Sequence, residues 1–506
     1  MRTQEQSQIK FLWTLAMIQI IIVGIFFLLG RYDDSSNPKN VNSKHGIERL
    51  KYNLNAYPLG VDIFMMLFGG FGYLMTFLKK YGLGAVGLTM IITAVVTEFT
   101  VIVIGLTHIN SDFVIEVEFI TLVEAGVTAT SVLITFGALI GKVNPLQMLV
   151  IGIIECIIIT LNMYLGYKIL GANDVGGAIL IHTFGAYFGL AVSLALRNQK
   201  VELSFNLEEP RYTSDITSLL GTVFLWVFWP SFNGILAVED ARLRCYINTY
   251  LSLCSSTVAT FVISGLLGNK KFCPEDVQNA TLAGGVMVGA TADMVLQPYG
   301  ACLAGTLAGI VSTIGFKYIT PVIHRHLRIH DTCGVHNLHG LPGIMSGLSS
   351  VLVVLLASED SYGANLYKMF PLCAPLEGTH ALKVLQQQLP ELEGGEGRSV
   401  GFQALVQLLT LGATLLIAIV SGLVVGIFIS IQKLFDTIPD EELFDDDLFW
   451  NMPDHDDVGY PERNAGYRRK SRSRSMFNPG LAPEMELNRK MSIVSIGHLN
   501  PSFTIN

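Results

Sequence analysis

Charge is scarce in this chain. Only 15% of its 506 residues are Asp, Glu, Lys or Arg, against 51% hydrophobic residues and a mean hydropathy of +0.48. A water-soluble globule carries about a quarter charged residues, so that class is excluded and a polytopic membrane protein is expected. Paired cysteine is lacking too. Cys156, Cys245, Cys254, Cys273, Cys302, Cys333 and Cys373 are scattered without CxxC or metal-ligand spacing, which argues against both a disulfide framework and a metal site. There is no nucleophile–base pair, metal motif or nucleotide-binding loop, so neither enzymatic chemistry nor a cofactor is expected. The net charge of -8 has its negative side in the C-terminal tail and implies no nucleic-acid partner. The first apolar run, Phe11 to Gly30, has no small-residue cleavage site and is long enough to span, which predicts a retained helix that doubles as a signal anchor.

Apolar runs are what the chain has in quantity. About 20 such residues cross a bilayer, and about twelve candidates begin near Phe11, Gly60, Gly84, Phe119, Leu146, Gly177, Ser218, Tyr246, Ala280, Gly300, Val335 and Phe402. The expected fold is therefore all-α. The ninth run is the weakest, because it carries Asp293 and ends at Gln297-Pro298. Short loops holding Lys79, Lys80, Lys142, Arg197, Lys200, Arg211, Lys270, Lys271, Arg325 and Arg328 lie on one side. Those on the other hold only Lys168, Arg242 and Arg244. This bias predicts that both termini are cytoplasmic and that the long segments 31–57 and 358–400 are external. The sequon at Asn279 falls on the cytoplasmic side by this reading, and no glycan is expected there.

Composition changes past Leu434, which divides the chain into a transmembrane domain, 1–434, and a cytoplasmic tail, 435–506, expected to be largely disordered. Residues 436–447 are acid-rich and 468–475 are basic. Ser471, Ser473, Ser475 and Ser492 stand beside basic residues, so a basophilic kinase, or anionic membrane lipid, is a conceivable partner of the tail.

Two stretches echo each other. Asp174 opens DVGGAILIHTFGAYFG and Asp331 opens DTCGVHNLHGLPGIMSG. Each has a histidine eight residues on, His182 and His339, followed by two glycines four apart: Gly185 and Gly189, then Gly343 and Gly347. Matching, glycine-interrupted segments with an ionisable residue in both halves of a membrane chain point to a transport site. A lone intramembrane histidine is more often a satisfied interhelical bond; two at matching positions favour a pathway. Two imidazoles can bond each other and still leave a donor and an acceptor facing a lumen, which suits a small, neutral, weakly basic solute. His336, one turn from His339, is a secondary candidate near the inner mouth. Asp174 and Asp331 read as N-caps with an electrostatic side effect at the mouths.

Glu98, Glu124, Glu155 and Asp293 have no counterpart in the other half and read as structural. In FLWVFWPSFN, Pro230 can kink the helix and push Phe232 into a lumen as a gate, with Asn233 beside it as a secondary candidate.

The stretches FGALIGKVNPLQ, IHTFGAYFGLAVS, GTVFLWVFWPSFN, NATLAGGVMVGATADM and DTCGVHNLHGLPGI resemble the Rh glycoproteins of the ammonium transporter (Amt/Mep/Rh) superfamily. The resemblance runs from about the fourth span to the eleventh. It implies the ammonium-transporter fold: an inverted five-helix repeat plus an extra N-terminal helix, in a plasma-membrane homotrimer with a pore in each subunit. By that pattern His182 and His339 are twin pore histidines, Asp174 the carboxylate near the outer end and Phe232 a gating phenylalanine. The other gating phenylalanine aligns with Val127, and no tryptophan stands near the outer end of the fifth span. The implied activity is ammonium deprotonated outside and conducted as ammonia. Carbon dioxide conduction, or an ammonium sensor or membrane-skeleton anchor working through the tail, are the alternatives.

Overall fold

The computed structural model describes residues 2–108, 113–196 and 200–451. Eleven helices among the described residues are long and apolar enough to cross a bilayer. We label them α1 (Gln6–Leu29), α2 (Lys44–Phe77), α3 (Gly82–Thr107), α4 (Phe119–Leu139), α5 (Pro145–Leu170), α6 (Ala178–Ala195), α7 (Tyr212–Gly234) and α8 (Asp240–Leu267). After a broken segment, α9, come α10 (Gln297–Leu327), α11 (His336–Leu355) and α12 (Val400–Ile429). The only sheet among the described residues is one short parallel pair, Gly30–Tyr32 with Ile115–Val117.

The weakest of the expected spans is present, but broken. Gly305 and Gly309 of α10 lie against Ser252 and Ser256 of α8, in the same order, so these two helices run parallel. Parallel neighbours in one bundle require a return crossing between them. α9 provides it in two short pieces, Pro274–Asn279 and Ala283–Met287. Its contacts descend α8 in antiparallel order: the Cys273 amide to Ser264 Oγ, 3.0 Å; Ser256 Oγ to the Ala280 carbonyl, 2.8 Å; Ser252 Oγ to Gly284, 2.7 Å; and Asn248 Nδ2 to Ala292, 2.9 Å. Irregular backbone at membrane depth needs such partners. The serines of α8 supply them, and hydropathy alone cannot see that. Asn279 is buried, with its amide donating to the Glu275 carbonyl.

Small residues set the helix spacing. A Cβ on Gly185 would stand 2.6 Å from the Ser131 carbonyl oxygen of α4, and one on Gly189 would stand 2.9 Å from Thr135 Cα. A Cβ on Gly343 of α11 would stand 2.8 Å from the Ala178 carbonyl oxygen of α6. Without a hydrophobic drive between helices in lipid, this close approach is what holds them.

Packing continues past Leu434. Phe435, Leu443 and Phe444 are buried, and the acid-rich stretch is a strap across one end of the bundle. The Phe444 amide donates to the Gly141 carbonyl, 2.9 Å, and its ring lies where a Gly141 side chain would project; Gly141 has φ +78°. Asp446 accepts from the Gly84 amide at 2.7 Å, Lys80 pairs with Asp445 at 2.9 Å, and Lys10 pairs with Asp436 at 2.6 Å. The tail serines at 471, 473, 475 and 492 lie outside the described residues.

Candidate functional site

The two histidine-bearing helices start at opposite ends of the bundle. Asp174, ahead of α6, sits beside Asn173, which bonds Asp293 and Gln407 on the face away from the strap. Asp331, ahead of α11, lies on the strap face, where the carbonyl of its neighbour His330 accepts from Lys142 Nζ and Ser193 Oγ. The repeat is therefore inverted.

Each aspartate caps its helix from upstream. Asp174 Oδ2 accepts from the Ile179 and Leu180 amides at 2.9 and 2.8 Å. Asp331 accepts from Val335 at 3.0 Å and from His336 at 2.9 Å. An ordinary N-cap reaches two or three residues ahead; these reach four to six because a turn intervenes, with Gly177 in the left-handed region at φ +64°. Both helices then open with a π-helical turn, Ala178–Thr183 and His336–Gly340, and each turn contains its histidine. Such turns are rare and concentrate at functional sites.

The histidines meet. Their Nδ1 atoms are 3.2 Å apart, with ring centroids at 5.2 Å and planes within 6° of each other. Both are buried, at 1% and 3% exposure, so the bond forms in apolar surroundings. One Nδ1 must donate and the other accept. The two remaining Nε2 atoms then offer one acceptor and one donor. His182 Nε2 has no partner among the described residues.

Aromatic rings enclose the pair. Trp229 stacks on His182 at 5.5 Å and reaches His339 at 6.5 Å; Phe232 lies over His182 at 5.7 Å, tilted by 48°; Phe71 stacks on His339 at 6.2 Å. Phe232, the gate candidate of the sequence, thus lies against His182. Trp229 and Phe71 are additions. Trp229 stands in the same proline-kinked stretch, and Phe71 closes a π-helical turn in α2, Met66–Phe71, a signal that hydropathy scanning passes over. Gly285 permits Trp229 its place, since a Cβ there would stand 2.7 Å from the indole nitrogen.

The secondary candidates separate. His336 is one turn toward the strap face, with Nδ1 at 3.4 Å from Tyr187 OH. Asn233 does not join the cage: its amide ties α7 to Thr249 of α8 and to the Gly285 carbonyl of α9, at 3.0 and 3.1 Å. Val127 is buried in α4, one residue from Thr128, which lines a cavity of about 440 Å³ on the face away from the strap. Glu124, Tyr167, Asn173, Asp293 and Lys368 line the same cavity.

Comparison with known proteins agrees with this geometry. The chain is 41% identical over 443 residues to the ammonium transporter Rh type B of Xenopus tropicalis, covering 86% of this chain and 92% of the relative. It is 42% identical over 400 residues to the Rh type B ammonium transporter of Sus scrofa, covering 79% and 83%. Among solved structures it superposes on Nitrosomonas europaea Rh50, a channel of the Rhesus protein family, with a TM-score of 0.64 and 28% identity over 88% of this chain and 97% of that one. Residues 37–447 match the Ammonium Transporter Family as a whole. An inverted pair of capped half-helices, an aromatic-caged histidine pair and these relatives lead to one assignment: this chain is a multi-pass membrane protein of the Ammonium Transporter Family, a family of transporters and not of enzymes.

Proposed function

We propose that this protein carries ammonium nitrogen across the membrane as neutral ammonia, through a pore that passes His182 and His339 in each subunit. The observation that carries the reading is the buried Nδ1–Nδ1 contact of 3.2 Å inside a cage of Trp229, Phe232 and Phe71. A bare cation in such a lumen loses hydration worth on the order of tens of kcal/mol, and two imidazoles replace little of it. Ammonia, which is small and neutral and both donates and accepts, loses far less.

Ammonium leaves its proton at the outer vestibule, where Glu124 and Asp293 line the cavity beside Lys168 and Lys368. Ammonia passes beneath Phe232, exchanges hydrogen bonds along the imidazole edges, leaves past His336 and regains a proton inside. Asp174 holds the outer half-helix and adds negative charge near the mouth; Asp331 does the same at the inner end. The strap face is then cytoplasmic, in keeping with the lysine and arginine bias of the loops. The pore belongs to a homotrimer in the plasma membrane, as the resemblance to Rh glycoproteins implies.

The test is internal pH in proteoliposomes given an inward ammonium gradient, with current recorded in planar bilayers. Alkalinisation faster than in empty liposomes, without current and altered in H182A and H339A, is the expected result. Current tracking nitrogen flux one for one would overturn the neutral pathway. Carbon dioxide flux insensitive to H182A would mark a separate route.

A further inference from the structure

One buried acid takes no part in the pathway described so far. Glu155 lies in the middle of α5 at 0% exposure, and no ion pair among the described residues involves it. Its Oε1 is 2.8 Å from Ser131 Oγ and 3.0 Å from Thr135 Oγ1, both on α4; its Oε2 has no hydrogen-bond partner among the described residues. An ionisable side chain inside a span is costly and calls for a reason.

Counting hydrogens supplies one. Thr135 Oγ1 is also 3.0 Å from the Gly185 carbonyl of α6. A threonine hydroxyl has one hydrogen, which cannot serve both Gly185 and a carboxylate. Both contacts become hydrogen bonds only when Glu155 brings a hydrogen of its own. Its O–H then donates to Thr135 Oγ1, Thr135 donates to the Gly185 carbonyl, and Ser131 donates to the Glu155 oxygen. Ionised, the same carboxyl would have no counter-ion and would break this chain.

The chain ends on the pore helix. Gly185 is one turn past His182, and its Cα packs so tightly on α4 that a side chain would meet Ser131 Oγ at 2.8 Å. The His182–His339 contact leaves little slack for movement of α6.

We propose that Glu155 is a proton-bearing positioning residue. As the un-ionised acid it completes the link Glu155–Thr135–Gly185 that holds α6, and with it His182, in register with His339. This rests on His182 being the pore group.

The test joins infrared spectroscopy to flux in proteoliposomes. The wild-type minus E155Q difference spectrum is expected to show the C=O stretch of a protonated carboxyl from about pH 5 to about pH 9. E155Q, whose amide both donates and accepts, is expected to hold ammonia flux within about twofold. E155L and T135V should each lower flux about fivefold and change the ammonia-to-methylamine ratio alike, and the double variant should be no worse than either. A carboxylate signature alone, or E155Q as damaging as E155L, overturns the proposal even if E155L fails to assemble. Unchanged flux in H182A would sink the pore reading while leaving the infrared band intact, so the two failures are told apart.

Discussion

At the scale of single residues the proposed pore depends on a bond that neither histidine can replace alone. Removing His182 leaves His339 with an unmet Nδ1 among Phe71 and Trp229, and a buried unpaired polar group costs about 1–3 kcal/mol. If about 1.4 kcal/mol of that falls on the conducting state, H182A lowers ammonia flux about tenfold in the stopped-flow assay. Wild-type flux in H182A would refute it. Gly285→Ala should do comparable harm without touching either histidine. The new methyl would stand 2.7 Å from the Trp229 indole nitrogen, and overpacking of that kind costs about 1–3 kcal/mol. A lower melting temperature together with reduced flux is expected; a silent variant would mean that Trp229 moves aside freely.

At the scale of elements the half-helices are held by carboxylates that arrive from outside their first turns. Asp331→Ala frees the Val335 and His336 amides together, and a lost cap costs about 1 kcal/mol. Thermal unfolding of the purified protein should show that loss, while Asp331→Asn, which keeps an acceptor, should recover part of it. The broken crossing α9 makes a complementary point. Its sequence is the weakest of the apolar runs, with Asp293 in it and Gln297-Pro298 at its end, yet Ser252, Ser256 and Asn248 on α8 satisfy its backbone.

At the scale of the whole molecule the strap ties the N-terminal helix, the α2–α3 turn and the α4–α5 turn into one surface. Burial pushes the Asp446 carboxyl up to about 6, and the charges of Asp445 and Asp447 push the same way against the Gly84 amide. A raised docked-state value means that docking favours the protonated acid. This contribution is complete below the ordinary carboxyl value of 3.8 and is lost as pH rises through about 6. Protease sensitivity of the strap should therefore increase between about pH 5 and about pH 7.5, and Asp446→Asn should flatten that dependence. Phe444→Ala removes a fully buried ring, a change that costs about 3–5 kcal/mol, and should release the strap at every pH while the helical bundle melts as before.

The span count and the repeat that carries His182 and His339, each eight residues after an aspartate, were legible in the sequence because both depend on local pattern: run length and spacing. Tertiary structure decided the rest. That His182 meets His339 across 157 positions, that Trp229 and Phe71 join them, that Asn233 instead ties three helices, and that residues 435–450 dock although their composition resembles a free tail are matters of which distant side chains close packing brings into contact. Glu155 is the sharpest case. Its position in the chain marks only an acid in an apolar run, whereas its bond partners Ser131 and Thr135 lie on α4, and Thr135 bonds in turn to α6, which glycines draw within hydrogen-bond reach.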